Sequence, residues 1–206
     1  MTETKPQQTQ KKALQMEKVS RKIETFTASP LYGYRKQNNY HAVTGEGDLD
    51  AEIMFIGEAP GKREAETGRP FVGRAGKFLD SLLEMIGLDR QDVYITNIVK
   101  DRPPKNRIPR SEEIQAYAPF LLQQIQIIQP QLIAPLGRFA TYFILKTFEF
   151  SEHEKTIGEL HGQFIETKAD YGRIKILPLY HPAAIFYNRD LEEKMKIDFQ
   201  KIQQEL

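Results

Sequence analysis

The chain has 206 residues, 40% hydrophobic and 28% charged, a balance that suits a globular protein able to bury a core without covalent staples and excludes fibrous or disordered classes. A formal net charge of +1 excludes a globally basic surface, so affinity for nucleic acid has to come from a local patch. The absence of cysteine excludes disulfides, thiolate metal sites and cysteine nucleophiles, and with no apolar run near the ~18 residues of a membrane span and no apolar signal region, a cytoplasmic protein without membrane contact is expected.

In chain order, residues 1–12 (MTETKPQQTQKK) are polar and lack a core-forming pattern, which predicts a disordered tail before a single domain over 13–206. A short helix is expected near 13–25. AEIMFIGEA is strand-like, and GRAGKFLDSLLEMIGL then places Phe78, Leu79, Leu82, Leu83 and Ile86 on one helical face. DVYITNIV is the next strand. SEEIQAYAPFLLQQIQIIQ puts Ile114, Tyr117, Ala118, Leu121, Leu122, Ile125 and Ile128 on a helical stripe, with Ser111 as N-cap and Pro119 inside the pattern as a bend or a late start. QLIAPLG and RFATYFILKTF supply another strand and helix, and RIKILPLY a last strand. Strands alternating with helices predict an α/β fold, a parallel sheet of four strands between two helical layers.

Ligands of open parallel sheets bind beyond the carboxyl ends of the strands. The segments that follow or end the four strands, GEAPG, TNIVKDRPPKNR, LGRFA and YHPAAIFYNR, are therefore expected to meet at one site carrying Glu58, Gly61, Asn97, Lys100, Arg102, Gly137 and His181. A lone histidine after a strand is more often a hydrogen-bonded structural residue; four polar segments on one edge argue otherwise for His181. A phosphate loop is excluded at GEAPG: Gly57 and Gly61 enclose three residues where the pattern needs four, and Arg63 stands where Ser or Thr should follow the lysine. The dinucleotide fingerprint is absent too.

GEAPG, GRPFVGRAG, TNIVKDRPPKNRIP and HPAA, in this order and spacing over roughly residues 26–186, resemble the family 4 uracil-DNA glycosylases. The resemblance implies the three-layer α/β/α fold with a central four-stranded parallel sheet. It also implies hydrolysis of the N-glycosidic bond of a flipped-out uracil, which leaves an abasic site in DNA. By the same resemblance Phe71 stacks on the base, Asn97 reads the N3 and O4 edge, and His181 donates to uracil O2 as negative charge develops there. Gly57, Ala59, Pro60 and Gly61 shape the base loop, with Glu58 either positioning water or organising the loop. Each has a plainer alternative: Phe71 as core, Asn97 as a turn residue. Family 1 enzymes carry Asp and Tyr where Ala59 and Gly61 stand here, so water positioning and exclusion of the thymine methyl need other providers; Glu64, at a family acidic position, is the candidate for the second.

For DNA contact the basic loop offers Lys100, Arg102, Lys105, Arg107 and Arg110, stiffened by prolines. Beyond His181, Ile185 or Phe186 would wedge into the gap left by the flipped base, or else anchor a C-terminal helix, and Arg189 would meet the backbone. Family 4 enzymes hold a four-iron, four-sulfur cluster on four cysteines; the matching positions here are Phe26, Ser29, Asp101 and Tyr117, which carry no thiolate. No cofactor and no metal are expected, and the partner is uracil-containing DNA met by a monomer. The alternative is a relative that binds uracil-DNA without turnover or traps it covalently. Trapping would use a histidine in the basic loop, and RPPKNRIPR has none.

Overall fold

The computed structural model describes residues 5–205. Among these, six strands form one sheet: β1 (Glu46–Gly47), β2 (Ile53–Gly57), β3 (Tyr94–Asn97), β4 (Leu132–Pro135), β5 (Ile165–Ala169) and β6 (Gly172–Ile176), ordered β1-β3-β2-β4-β6-β5. The four expected strands are the inner four, and neighbours among them pair in parallel. The expected strand number is corrected at both edges, where β1 runs antiparallel to β3 and β5 antiparallel to β6. Neither edge strand carries an apolar run: β1 is two residues long, and in β5 exposed residues alternate with half-buried ones. By contrast β2, β3 and β4 are buried at every position, because a parallel sheet is covered on both faces.

The helices are α1 (Lys5–Glu24), α2 (Tyr32–Gln37), α3 (Lys62–Thr67), α4 (Arg74–Met85), α5 (Ser111–Ile128), α6 (Arg138–Thr147), α7 (Ile157–Leu160) and α8 (Leu191–Glu205). Alternation along β2 divides the core. Met54 and Ile56 face α1, α5 and α6, meeting Ile23, Tyr117, Leu121 and Ile144, whereas Ile53 and Phe55 face α4 and α8, meeting Leu79, Leu82, Leu83 and Phe199. Phe55 and Phe199 stack with ring centroids 5.7 Å apart.

Helix α1 starts at Lys5, so residues 5–12, expected in a disordered tail, are helical; residues 1–4 lie outside the described residues. What secures this first half is polar. Thr9 donates to Asp50 at 2.7 Å, and Lys12 pairs with Asp50 at 2.8 Å while donating to the carbonyls of Leu49 and Ile128. A hydrophobic pattern cannot announce such an anchor. In α5 the cap position is occupied by Arg110, with Ser111 as the first helical residue, and Glu113 accepts from the Arg110 N–H at 2.8 Å. The helix continues through Pro119, and Leu122, expected in the core, is exposed.

Candidate active site

β2 and β3 end level with each other, since Gly57 pairs with Asn97. The chain leaving β4 stays beside the chain leaving β6: Leu136 bridges Leu179 in parallel, and the Gly137 N–H donates to the Leu179 carbonyl at 2.7 Å. The loops after β2, β3 and β6 open on one cleft of about 460 Å³, within the ~300–1,000 Å³ of small-molecule sites; the loop after β4, expected there too, does not line it, and Gly137 instead packs against His181, where a Cβ would stand 2.9 Å from His181 Cβ. Glu58, Ala59, Pro60, Gly61, Glu64, Phe71, Asn97 and His181 all line it. Gly57 lies beneath, and its missing side chain decides the geometry: a Cβ there would stand 2.3 Å from Asn97 Oδ1 and 2.6 Å from Phe71 Cζ. The amide and the ring thus both rest against the Gly57 backbone. Phe71 and His181 lie with ring centroids 5.7 Å apart at 31°, so the aromatic ring, the amide and the imidazole face one slot.

His181 precedes a 3-10 turn, Pro182–Phe186, and the Ala183 N–H donates to His181 Nδ1 at 3.1 Å. A nitrogen that accepts a hydrogen bond carries no proton, which leaves the proton of the neutral ring on Nε2. Burial pushes the imidazole pKa down to about 4 against the opposing pull of the Glu64 carboxylate. At neutral pH His181 is therefore an uncharged donor. Glu64 is held in place, its Oε1 accepting from the N–H groups of Val72 at 3.0 Å and Gly73 at 2.8 Å just before α4. Negative charge at a helix start is favourable. Burial also raises the Glu58 carboxyl above its ordinary value, with Arg138 at the start of α6 offsetting part of the effect.

The expected DNA contacts fall into buried, engaged and exposed groups. The expectation for Lys100 is corrected: it is fully buried, its Nζ donating to Thr96 Oγ1, the Asn97 carbonyl and Gln124 Oε1 at 2.6–2.7 Å, which leaves it enclosed by protein and not on the DNA-facing surface. Burial holds its pKa well below the usual lysine range. Arg102 is engaged with Asn106 and Tyr40, and Arg107 with Glu113, although Arg107 still borders the cleft. Lys105, Arg110 and Arg189 are exposed. Ile185 is half-buried and packs toward α4 and α8, whereas Phe186 is exposed beneath the guanidinium of Arg74, 4.2 Å from its ring centroid. Three cations on the cleft escaped the sequence reading: Lys62, Arg63 and Arg74. Their signal was position, directly after GEAPG and at the opening of the helix in GRAG.

The four positions matched to cluster cysteines do come together, around Tyr117. Its hydroxyl meets Ser29 Oγ at 2.8 Å and donates to Asp101 Oδ2 at 2.6 Å, and the Phe26 ring meets the Tyr117 ring edge-on at 5.7 Å. Arg35, 5% exposed, binds Asp101 Oδ1 at 3.0 Å and donates to the carbonyls of Ile23 and Glu24. Burial raises the Asp101 carboxyl, and the hydrogen bond from Tyr117 and the charge of Arg35 counter it. Two aromatic rings, a hydroxyl and a carboxylate already neutralised by arginine do not fit an iron–sulfur cluster, which needs thiolates. Among the described residues no group of three or more His, Cys, Asp or Glu could hold a metal ion.

The family model described as the uracil DNA glycosylase superfamily matches residues 44–206. The type-4 uracil-DNA glycosylase of Saccharolobus solfataricus is 45% identical over 177 residues, 85% of this chain and 79% of the relative. Those of Archaeoglobus fulgidus and Thermotoga maritima are each 44% identical, covering 82% and 86% of this chain and 83% and 86% of the relatives. With this extent of identity along the chain, the protein belongs to the uracil DNA glycosylase superfamily, on its type-4 branch.

Proposed function

We propose that the chain is a monofunctional uracil-DNA glycosylase that hydrolyses the N-glycosidic bond of an everted uracil and leaves an abasic site. The single observation that carries this reading is the convergence of Phe71, Asn97 and His181 on one slot over Gly57. The Phe71 ring replaces the stacking that the base loses on leaving the helix. Asn97 offers one acceptor and one donor, the complement of the N3–H and O4 edge of uracil; cytosine presents the reverse order. As the bond lengthens, the base departs as an anion, and the Nε2–H of His181 donates to O2 where charge accumulates. Glu58 orients the attacking water and faces the developing sugar cation, and Glu64 walls off the position of a C5 methyl. Lys62, Arg63, Arg74, Lys105, Arg110 and Arg189 serve the phosphates. No step involves a metal or cluster, and we propose that the chain needs neither.

A single-uracil oligonucleotide incubated with the protein and then treated with alkali tests the reading. Strand cleavage at the uracil, unchanged after dialysis against chelator, is the expected result; intact DNA despite binding would leave a binding protein, and an adduct stable to denaturation a covalent trap. A finer expectation concerns the slot. Gly57→Ala sets a methyl group against Asn97 and Phe71, and misplacement by about 1 Å lowers such rates ~100-fold. Uracil release should fall by that order while thermal unfolding remains cooperative.

The pH profile follows from Glu58. As a carboxylate with a pKa above the ordinary value, it loses its negative charge as pH falls through that pKa, so the rate declines on the acid side. His181 gains its proton only near pH 4. Arg138 favours the charged form of Glu58, so Arg138→Met should move the acid limb to higher pH; a shift to lower pH, or none, would remove Glu58 from the chemistry.

A further inference from the structure

Phe71 sits at φ +50°, a left-handed conformation that strains any residue with a side chain. Something has to hold it there. Arg90, in the connection between α4 and β3, reaches back to this segment: Nη2 donates to the Pro70 carbonyl at 2.6 Å, and Nη1 to the Phe71 carbonyl at 3.1 Å. The same guanidinium is fixed from its other sides by Glu46 of β1, at 2.5 and 2.8 Å, and by Asp80 of α4, at 2.8 Å. Arg69 holds Glu46 in turn at 2.7 Å, and burial of Glu46 is outweighed by these two arginines, which keep its carboxyl below the usual range. Beyond the Phe71 carbonyl lies Gly76, where a Cβ would stand 1.6 Å from that oxygen. The peptide after Phe71 is therefore seated against bare helix backbone and gripped by arginine.

We propose that Arg90 is a positioning residue for base capture: by bridging the carbonyls of Pro70 and Phe71 to two carboxylates it holds the Phe71 backbone in its strained form and the ring against the slot. The proposal rests on the reading of Phe71 as the stacking platform. The planar fork of arginine suits the task, because it serves two carbonyls and two carboxylates at once, whereas the ammonium of lysine is a point donor. The edge strand β1 gains a purpose too, since it brings Glu46 to Arg90.

A double-mutant cycle on uracil release tests it. Arg90→Met should lower the single-turnover rate on the order of 10- to 100-fold with little change in affinity for a uracil-free duplex, and Arg90→Lys should recover part of the loss. In a Phe71→Ala background Arg90→Met should lower the rate no further, because the platform is already gone. An equal loss in both backgrounds would reduce Arg90 to general stabilisation and overturn the proposal, as would a wild-type rate for Arg90→Met beside a slow Phe71→Ala. A wild-type rate for Phe71→Ala itself would remove the platform reading, and the proposal with it. Should Arg90→Met fail to fold, Glu46→Gln, which loosens Arg90 without emptying its site, is expected to show the same background dependence in weaker form; equal losses there overturn the proposal in the same way.

Discussion

His181→Ala is expected to lower the single-turnover rate of uracil release by roughly 100- to 1,000-fold, the usual consequence of deleting one preorganised donor to a developing oxyanion. The donor matters because, on the proposed reading, the leaving group is an anion whose developing charge needs a partner. Neutrality matters as well. A charged imidazole would lose its proton readily to the base, whereas a ring whose pKa lies near 4 keeps the Nε2 proton and shares it. The Ala183 N–H assigns that proton by occupying Nδ1. Affinity for uracil-containing DNA should change little in the variant, since the interaction strengthens only as charge develops. Ring-nitrogen NMR should show the Nε2–H tautomer, uncharged, at pH 7. A His181→Ala rate within a few fold of wild type would transfer the donor role to another group in the cleft.

Asp101→Ala should produce the largest loss of stability. Arg35 and Asp101 are 5% and 0% exposed, and removing one member of a buried ion pair leaves the other charge without compensation, a loss of ~3–5 kcal/mol. At roughly 2–4 °C per kcal/mol for a chain of this size, the melting temperature should fall on the order of 10 °C. Tyr117 would lose its acceptor in the same change. Replacing the whole polar set by apolar residues of similar volume, Arg35→Met with Asp101→Leu and Tyr117→Phe, should by the same reasoning cost far less. None of the three lines the cleft, so uracil release well below the melting transition should persist in both variants. An Asp101→Ala melting temperature equal to wild type would mean that the pair contributes nothing to holding α2 and α5 to the basic loop.

Fold class and the place of the site were legible in the sequence because both are carried by local patterns. Four apolar runs alternate with helical stripes, and parallel pairing follows from that alternation; the loops after those runs then have to share an edge. Leu79, Leu82, Leu83 and Ile86 are buried where their spacing places them. The edge strands were not legible: β1 has two residues and pairs with Tyr94 and Ile95, far along the chain, whereas β5 forms a tight hairpin with β6 but alternates exposed and half-buried residues, with no buried apolar run to announce it. That residues 5–12 are helical escaped notice for a related reason: Thr9 and Lys12 are tied to Asp50, about forty residues on.

Within the candidate site, the position of polar residues after the strands was legible. The stacking, edge-reading and donor roles expected of Phe71, Asn97 and His181 come from the family resemblance, whereas the lack of cysteine excludes thiolate ligation from composition alone. Tertiary structure decided the rest, because charge and strain depend on what surrounds a group. Lys100 reads as a phosphate contact in a basic loop, yet it is enclosed by Thr96, Asn97 and Gln124. The proton of His181 is placed by the backbone of Ala183, and the strained Phe71 is held by an arginine nineteen residues further along the chain. A sequence names the side chains available; the low-dielectric contacts that set their protonation and orientation arise only when distant segments pack together.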